Sequence, residues 1–559
     1  MIIAVMDSNW KIQTQIKSTS TKSRRQEIIK ALLKIRGLTK KSDITTFLNP
    51  KDPKDISIKS VGININQVKI AVKRIKECIK KNQLIYVYGD YDADGITATA
   101  ILWEALNSMG ANVMPYIPQR DEPARGLSKQ GIDNIIKLAK ATPSLIITVD
   151  NGITSFKGCD YAKKLGVDVI ITDHHQPKTK IKKLIYPKSL AIIHTQSLAG
   201  AGVAWFFSKE LTKTLSLDLV TLGTIADMVP LTHANRSLAS HGLKALKASS
   251  RPGLKALAIA AQIVLKDLQT YQVSFCLTPR LNAMGRLDKA LDSLRLLCTK
   301  DHIKAKSLAQ NLNQTNQLRQ DKTMEMFINA KGQYLKSNQD SKLIFVQNKN
   351  YHEGIVGLVA GRLSEEFNRP AVVVAISKNY AKASIRSIKG FNAIKAFRNI
   401  ESHLLEHGGH PLAAGFTAKI KDLPLIQKKL ETLAKKDLAK KSLDSQITID
   451  CQIELKDINW DLMKKLDKFR PFGFANSQPV FATKKVNLLD FRPVGQTKKH
   501  LKLTVLQESN KLDAIAFNFG SLANTLKTDQ LIDVAYTIDE NLWNGKKDLQ
   551  LKIKDIQLL

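Results

Sequence analysis

The sequence predicts an α/β fold in several domains, and three observations support this prediction. At 559 residues the chain is too long for one hydrophobic core, because single cores stop growing near about 250 to 300 residues. Short runs of branched apolar residues alternate with helical patterns, which is typical of a mostly parallel sheet covered by helices. From residue 447 these patterns give way to short strands separated by turns, which indicate a small β-barrel.

The first part of the chain predicts an extension followed by a parallel-sheet domain. Residues 1–55 are polar and basic and contain Asn49-Pro50 and Asp52-Pro53, so we expect a short helical extension that ends in a turn. Residues 56–285 are expected to form the first domain. Its predicted strands are 84–88, 144–149 and 167–172, and its predicted helices are 67–81, 95–110 and 155–166.

The second half predicts a connecting helix, a smaller α/β domain and the barrel. Residues 286–340 are polar and favour helix, so we expect one long helix between two domains. Residues 341–430 contain the apolar runs 343–346 and 371–376 around a helical pattern, which predicts a second α/β domain. A lysine-rich stretch then leads to residues 446–559, where we expect an OB-fold barrel. The strands predicted for the barrel are 447–455, 479–491, 501–507 and 512–519.

The charge of the chain is strongly positive. It has 86 Lys and Arg residues against 50 Asp and Glu residues, which gives a formal net charge of +36. Such a protein attracts polyanions, and nucleic acid is the usual one. A general lysine bias in composition would give the same balance, so charge alone does not settle the function.

Cysteine usage and hydropathy exclude several classes of protein. The five cysteines are scattered and form no CxxC pair, so neither a zinc site nor a disulfide framework is indicated. The first residues lack the basic and apolar regions of a secretory signal, and no later run reaches the ~18 apolar residues that a membrane span needs. We therefore expect a cytoplasmic protein that makes no use of a membrane.

Carboxylates follow three of the predicted strands at the point where each strand ends. In an open α/β sheet, ligands bind beyond the carboxyl ends of the strands, so these side chains should converge. Carboxylates crowded together repel one another unless a cation neutralises them, which predicts a metal site. The residues concerned are Asp90, Asp92 and Asp94 after the first strand, Asp150 after the second, and Asp173, His174 and His175 after the third.

The chemistry of these side chains indicates which metal would bind. Oxygen ligands with one or two imidazoles suit Mn²⁺ or Mg²⁺, and the number of carboxylates implies two ions. Two such ions about 3.5 to 4 Å apart activate a water and stabilise the displaced oxygen in hydrolysis of a phosphate ester. The alternative is a calcium loop, since DxDxDG also begins an EF-hand. That motif needs a glutamate at its twelfth position, where this chain has Ile101, and a strand precedes the loop.

Taken in order, GDYDADG, VDNG, TDHH and IADMVPL (225–231) resemble the four N-terminal motifs of the DHH phosphoesterase superfamily. Further along, HEGIVGLVAGRL (352–363), SIRS (384–387) and GGHPLAAG (408–415) resemble the motifs of its second domain, DHHA1. The blocks LAGAGVAW, TPRLNAMGR and RPFGFANSQPVF resemble the single-strand-specific DNA exonucleases of this superfamily. The resemblance covers nearly the whole chain and implies a parallel-sheet DHH domain joined by a helix to DHHA1, with a C-terminal OB-fold.

The resemblance also implies which residues hold the metals. It makes Asp92, Asp94, His174 and Asp227 ligands and makes Asp150 the carboxylate that bridges both ions, with Asp90 as a further candidate ligand. It places His175 at the scissile phosphate, where Asp173 could orient an imidazole. Relatives often have a ligating histidine at the position of Tyr88, so we expect a weaker shell at one ion, because tyrosine is a poor ligand at neutral pH.

Substrate contacts are implied in the second domain. Arg386, His410 and the amides of Gly408 and Gly409 resemble the DHHA1 phosphate clamp, which suits the close approach that glycine permits and the planar fork of arginine. Ser384 and His352 lie in the same motifs. The residues with two open interpretations are Arg280, Asn282 and Arg286, which could contact substrate or form structural salt bridges, and Phe472, Phe474 and Phe481, which could stack on bases or fill the barrel core.

The function implied by the resemblance is a metal-dependent 5′-to-3′ exonuclease that degrades single-stranded DNA to 5′-mononucleotides in recombination and repair. Its expected partners are single-stranded DNA, a single-strand-binding protein and a helicase, and we expect a monomer. One alternative is a phosphodiesterase of short oligonucleotides or cyclic dinucleotides, against which the barrel and the basic charge argue. The other is a binding module with a degenerate site, against which the intact acidic residues argue.

Overall fold

The computed structural model describes residues 9–120, 126–180, 183–337, 340–439, 446–543 and 545–559. The chain divides into two units, each of which packs on its own. One unit contains Met1–Ile56, Met228–His241 and Asp444–Leu559, and the other contains Ser57–Asp227 and Gly242–Leu443. Within the described ranges, none of the helices combines the length and apolar character that a membrane crossing requires.

The first described element is a strand that was not predicted, and helices follow it. Strand β1 (Asn9–Gln15) precedes helices α1 (Thr21–Ile35) and α2 (Lys41–Leu48). It pairs in parallel with residues 446–452, and the indole of Trp10 donates a hydrogen bond of 2.7 Å to Asp555. The partner strand is more than 400 residues away in sequence, which is why local patterns did not reveal this element.

The first α/β region carries a five-stranded sheet in the order β3-β2-β4-β5-β8, in which all pairings are parallel. Its carboxyl ends therefore lie at one edge. The edge strands β3 and β8 were not predicted, and Pro115 interrupts the strand pattern of β3. The strands are β2 (Ile85–Tyr88), β3 (Val113–Tyr116), β4 (Leu145–Val149), β5 (Asp168–Asp173), β6 (Lys178–Lys180), β7 (Lys183–Ile185) and β8 (Ala191–His194). The helices are α3 (Ile65–Lys80), α4 (Ala93–Ser108), α5 (Lys129–Ala139), α6 (Phe156–Lys164), α7 (Gly200–Ser208) and α8 (Leu217–Ala226).

A helical region follows, and its last helix has 35 residues. We predicted one helix over 286–340. The long helix instead begins at His302, because the Asp301 side chain accepts hydrogen bonds from the backbone amides of Ile303 and Lys304. The helices are α9 (His233–Lys247), α10 (Pro252–Ala260), α11 (Thr270–Gln272), α12 (Thr278–Leu287), α13 (Leu291–Cys298) and α14 (His302–Lys336), with a π-helical turn, Val273–Leu277, between α11 and α12.

The second α/β region has a sheet in the order β12-β13-β11-β10-β9, in which only the pairing of β9 with β10 is parallel. The mixed sheet packs on helices through apolar residues of β10 and β11. The elements are β9 (Ile344–Asn348), α15 (Val356–Phe367), β10 (Ala371–Ile376), β11 (Ala381–Arg386), α16 (Ala393–Arg398), β12 (Glu406–His410), β13 (Ala413–Ala418) and α17 (Leu423–Asp437).

The C-terminal region is a β-barrel. Its long strand β15 pairs with both β16 and β18, and this second pairing closes five strands into a barrel. The fold class predicted from the sequence is thereby confirmed. Phe481 is fully buried in the barrel core and cannot stack on a base, Phe472 is half-buried, and Phe474 is 57% exposed. The elements are β14 (Gln446–Gln452), α18 (Trp460–Asp467), β15 (Phe481–Val494), β16 (His500–Gln507), β17 (Asn510–Ala516), β18 (Leu531–Trp543) and β19 (Lys546–Leu558).

Candidate active site

The loop after β2 is held by hydrogen bonds at the start of α4. Asp92 is the residue that caps this helix, because its Oδ1 accepts bonds of 3.0 Å from the amides of Asp94 and Gly95. The amide of Ala93 donates a bond of 2.7 Å to Oδ1 of Asn282. A Cβ on Gly95 would lie 2.6 Å from Cβ of Asp90, so the loop needs glycine there. These contacts fix the acidic loop against the sheet edge.

Asp94 is buried behind this loop and is bound by the first turn of α7. Its two carboxylate oxygens accept bonds of 2.7 Å from the amide of Gly200 and 2.9 Å from the amide of Ala201. Burial, together with the charges of Asp227 and Asp92, nevertheless raises the pKa of Asp94 well above its usual value. The helix amides orient the carboxylate without removing the need for a cation.

Asp150, at the end of β4, is buried in a strained backbone conformation. Its φ is +60°, which a side chain other than glycine adopts infrequently. Its Oδ1 lies 3.0 Å from Nε2 of His174, yet it accepts no hydrogen bond from the described part of the chain. Burial and the charges of Asp94 and Asp92 raise the pKa of Asp150 well above its usual value. A buried carboxylate oxygen that accepts no hydrogen bond needs another partner, and a cation would satisfy it.

His174 lies at the centre of the cluster. Its Nε2 is 3.9 Å from Oδ2 of Asp94, and its Nδ1 is 3.8 Å from Oδ2 of Asp227. Burial and the neighbouring charge of His175 lower the pKa of His174 to about 4. The imidazole is therefore neutral at neutral pH, which is the form that binds a metal.

Asp227 follows α8 and completes the cluster from a different helix. Potential ligand atoms of Asp94, His174 and Asp227 lie within 4.8 Å of one another, and the same holds for Asp150, His174 and His175. Burial and the charge of Asp92 raise the pKa of Asp227 to about 7, although His175 partly offsets this. The crowded, buried carboxylates and the neutral imidazole fit one or more divalent cations.

His175 differs from His174 because it is paired with Asp173. Its Nδ1 donates a bond of 2.8 Å to Oδ1 of Asp173, which also accepts bonds from the backbone amides of both histidines. Burial alone would lower the pKa of His175, but the bond and the charge of Asp173 outweigh it and raise the pKa to about 9. His175 is therefore a cation at neutral pH beside the carboxylate cluster, where it can attract a phosphate.

Tyr88 does not take part in the cluster through its hydroxyl. The ring is fully buried against Tyr116, with 5.1 Å between the ring centroids, and the hydroxyl donates a bond of 3.2 Å to the carbonyl of Gly126. The expectation of a weaker metal shell rested on a tyrosine at a ligand position. The hydroxyl is bonded to the backbone instead, and Oδ1 of Asp90 in the following loop accepts a bond of 2.6 Å from the amide of Tyr91.

The predicted phosphate clamp forms one face of the second sheet. In the strand register, Arg386 pairs with Ala413, which pairs with His410, and Ser384 pairs with Gly415, which pairs with Gly408. Residues paired directly across strands point to the same face. Nη1 of Arg386 donates a bond of 3.0 Å to Oγ of Ser384. A Cβ on Gly408 would meet no atom within 4 Å, so there is open space at Gly408 on this face.

Gly409 lies between Gly408 and His410 on β12, and its backbone conformation requires glycine for a different reason. Its φ is +135°, and a Cβ there would lie 2.5 Å from the carbonyl oxygen of Ala413. It therefore shapes the backbone of β12, whereas its neighbours Gly408 and His410 lie on the face that carries Arg386.

Arginines of both α/β regions lie close enough for their positive charges to lower one another's pKa. Nη1 of Arg286 donates a bond of 3.0 Å to the carbonyl of Gly354. Burial, and then the charges of Arg120, Arg319 and Arg386, lower the pKa of Arg286 to about 10. His352, two residues before Gly354, also has a lowered pKa because of burial and the charge of Lys322. The guanidinium of Arg280 donates hydrogen bonds to Asn313 and to the carbonyl of Cys276.

Three functional features were missed at the sequence level. Arg120 follows β3 at the carboxyl edge, where the strand rule could have found it once β3 was recognised. Gly200 allows α7 to approach, because a Cβ there would lie 2.5 Å from Oδ1 of Asp150. Nε2 of His194 donates a bond of 2.7 Å to the carbonyl of His175, and no local pattern indicates this contact.

The raised pKa of Asp227 leads to a testable prediction about metal binding and pH. Protons and cations compete for this carboxylate, so affinity for Mn²⁺ should fall as the pH falls below about 7. Roughly a tenth of Asp227 is ionised one pH unit below its pKa and roughly nine-tenths one unit above, so we expect about tenfold weaker binding at pH 6 than at pH 8. Calorimetric titration with Mn²⁺ at both pH values measures this ratio. Equal affinities would contradict the placement of Asp227 in the metal shell.

Comparison with known proteins gives three domain matches. Residues 84–224 match the DHH family, N-terminal domain, residues 340–436 match the DHHA1 domain, and residues 449–555 match the RecJ OB domain. The order of domains and the acidic site together define a DHH-type phosphoesterase with an added OB domain.

Relatives that match over most of the chain show which family of DHH phosphoesterases it resembles. The chain is 34% identical to the single-stranded-DNA-specific exonuclease RecJ of Bacillus subtilis, over 98% of this chain and 70% of that protein. It is 32% identical to the corresponding protein of Escherichia coli, over 88% of this chain and 90% of that one. The crystal structure of RecJ from Thermus thermophilus in complex with Mn²⁺ matches with a TM-score of 0.80 at 28% identity, over 98% of this chain and 79% of that chain. The chain belongs to the RecJ family, which confirms the resemblance seen in its motifs.

Proposed function

We propose that this protein is a metal-dependent exonuclease that acts on single-stranded DNA. The observation that carries the proposal is the buried cluster of Asp94, Asp150, His174 and Asp227 at the carboxyl edge of the parallel sheet. The names of its relatives support the substrate, since they are described as single-stranded-DNA-specific exonucleases. The net charge of +36 and the OB domain support binding of a polyanion.

The residues proposed to hold two divalent cations are Asp90, Asp92, Asp94, Asp150, His174 and Asp227. Relatives were crystallised with Mn²⁺ and with Mg²⁺, so we propose one of these ions. When bound, the ions supply Lewis acidity at the phosphate and a lower pKa for the attacking water. We propose Asp150 as the bridging ligand because its buried Oδ1 accepts no hydrogen bond from the described residues.

The remaining site residues are proposed to bind the substrate phosphates. His175 is a cation at neutral pH and is held by Asp173, so it can attract the scissile phosphate. Arg386, Ser384, His410 and the open space beside Gly408 suit a terminal phosphate, which arginine binds with two parallel donors. Arg286 and His352 belong to the same positive environment as Arg386.

The finer features of the function remain proposals. We propose 5′-to-3′ polarity and 5′-mononucleotide products on the ground of the resemblance to the exonucleases of this family. We also propose a role in recombination and repair, action in the cytoplasm as a monomer, and cooperation with a single-strand-binding protein and a helicase. The domain boundaries 56–285, 286–340, 341–430 and 446–559 stay predictions.

A digestion experiment tests the proposed function. A single strand of about 30 nucleotides, labelled at either end, is incubated with Mn²⁺, with Mg²⁺ or with a chelator, beside a duplex, an RNA strand and a dinucleotide. We expect release of the 5′ label as a mononucleotide from the single strand, and no cleavage with the chelator. A preference for the dinucleotide over the long strand would instead support the phosphodiesterase alternative.

A further inference from the structure

An exposed pair of aromatic side chains precedes the arginine-bearing helix α12. Tyr271 is 64% exposed and Phe275 is 65% exposed, and their ring centroids are 4.8 Å apart with 31° between the planes. Phe275 lies in the π-helical turn, a feature that frequently occurs at functional sites. Two adjacent aromatic faces open to solvent are suited to stacking on a flat, unpaired partner.

The aromatic pair is continuous with the proposed active site. The helical segment that begins with α11 runs through the π-helical turn into α12, which carries Arg280, Asn282 and Arg286. Asn282 binds the loop that holds Asp92, and Arg286 lies in the positive environment of Arg386. Phe275 and Arg286 are 11 residues apart along this helical segment, which corresponds to about 16 Å along its axis.

Arg280 on α12 and Arg319 on α14 donate hydrogen bonds only to neutral groups among the described residues. Nε and Nη1 of Arg280 donate to Oδ1 of Asn313 and to the carbonyl of Cys276, at 2.9 and 2.6 Å. Nε and Nη2 of Arg319 donate to Oδ1 of Asn316, at 3.2 and 2.9 Å. A guanidinium has five N–H donors, so each arginine keeps donors for an anion.

The charge of each of these arginines lowers the pKa of the next one. Burial, and then the charges of Arg362 and Arg280, lower the pKa of Arg319. Arg319 in turn contributes to the lowered pKa of Arg286. We call Arg286, Arg319 and Arg280 the arginine row. In a nucleic-acid enzyme, a row of half-buried cations that form no hydrogen bond to a carboxylate among the described residues is suited to a phosphate backbone.

We propose that the arginine row binds successive phosphates of the single strand whose end occupies the metal site, and that Tyr271 and Phe275 stack on a base further along it. This subsite rests on the proposed function and extends it to the body of the substrate. Phosphates of one strand are at least about 3.4 Å apart, so a strand covers about 16 Å within roughly five nucleotides. A dinucleotide does not reach the aromatic pair, whereas a dodecanucleotide does.

The length dependence of cleavage tests the aromatic pair. We compare kcat/KM for 5′-phosphorylated dT12 and for the dinucleotide in the wild-type protein and in Phe275→Ala and Tyr271→Ala. Because stacking on an aromatic contributes about 1 to 3 kcal/mol per base, we expect the ratio of the two values to fall about 5- to 150-fold in either variant, through KM. Ile303→Ala is the control. Ile303 is also an exposed apolar side chain, but it belongs neither to the aromatic pair nor to the arginine row, so this variant should keep the wild-type ratio.

The outcomes separate this inference from the proposed function. A wild-type protein that cleaves neither substrate refutes both. A wild-type protein that cleaves both, with variants that keep the wild-type ratio or lose activity equally on the two substrates, refutes the stacking subsite alone.

The salt dependence of binding tests the arginine row. Binding of dT12 is measured without divalent ions over a range of salt concentrations for wild type, Arg319→Gln and Arg295→Gln. Each phosphate contact on a single strand contributes about 0.7 to the slope of log K against log salt, so Arg319→Gln should lower the slope by about that amount. Arg295 is exposed and paired with Asp292, so its variant should keep the wild-type slope. An unchanged slope in Arg319→Gln would remove Arg319 from the strand's path.

Discussion

Replacing Asp150 with asparagine is expected to lower kcat on single-stranded DNA by roughly 10³-fold or more, the order of loss seen when an essential catalytic group is removed. The physical reason is the position of this carboxylate. It is buried, its Oδ1 lies 3.0 Å from Nε2 of His174, and its charge is opposed by Asp94 and Asp92. An amide at this position keeps the shape but removes the negative charge that would attract two cations.

Asparagine is the appropriate replacement because of the backbone at this position. The φ of Asp150 is +60°, and asparagine tolerates the left-handed region better than alanine does. Asp150→Ala would therefore mix loss of the ligand with backbone strain. Asp160→Asn is a suitable control, because Asp160 is an exposed carboxylate on helix α6 outside the cluster.

Thermal unfolding supplies a readout that does not depend on turnover. Removing a buried carboxylate from a repelling cluster should leave the melting temperature of the metal-free variant equal to or above that of the wild type. Mn²⁺ should raise the melting temperature of the wild type and of Asp160→Asn, and should raise that of Asp150→Asn much less. Binding of a single strand should persist in the variant. Near-normal cleavage by Asp150→Asn would show that the bridging ligand has been wrongly assigned.

The parts of the fold that local patterns could predict are those that local forces determine. The strands β2, β4 and β5 are short apolar runs that end in acidic residues, and parallel pairing brings their carboxyl ends to one edge. That rule alone gathers Asp92, Asp150 and His174 from separate stretches of sequence. The clamp face of β11, β13 and β12 followed from resemblance, because nothing in SIRS or GGH by itself indicates that both segments pair with β13.

The parts that could not be predicted depend on contacts between distant segments. Strand β1 forms only because residues 446–452 offer it an edge. The role of Tyr88 depends on the carbonyl of Gly126, which accepts its hydroxyl, and on the buried ring of Tyr116. Binding of Asp94 by the first turn of α7 likewise joins residues more than 100 positions apart. The spacing of residues along the sequence does not indicate which distant segments will be in contact.

The approach of α7 to the acidic cluster gives the second large expected effect. Gly200→Ala should lower kcat about 100-fold, because a displacement of about 1 Å in catalytic geometry costs that much. The added Cβ would lie 2.5 Å from Oδ1 and 2.6 Å from Cγ of Asp150, closer than real Cβ contacts occur. Asp150 is buried, so either this carboxylate or α7 must move. A movement of α7 would also weaken the bond of 2.7 Å from the Gly200 amide to Asp94.

Gly332→Ala is the matched control for this variant. Gly332 lies within α14, and a Cβ there would meet no atom within 4 Å. Alanine should therefore raise the free energy of unfolding by about 0.5 to 1 kcal/mol and leave kcat unchanged. For Gly200→Ala the gain in helix propensity is opposed by overpacking, which costs about 1 to 3 kcal/mol, so its melting temperature should fall moderately. Measuring kcat, denaturant unfolding and Mn²⁺ binding for both variants separates the two mechanisms. Wild-type activity and metal affinity in Gly200→Ala would show that the close contact between α7 and Asp150 does not constrain the metal site.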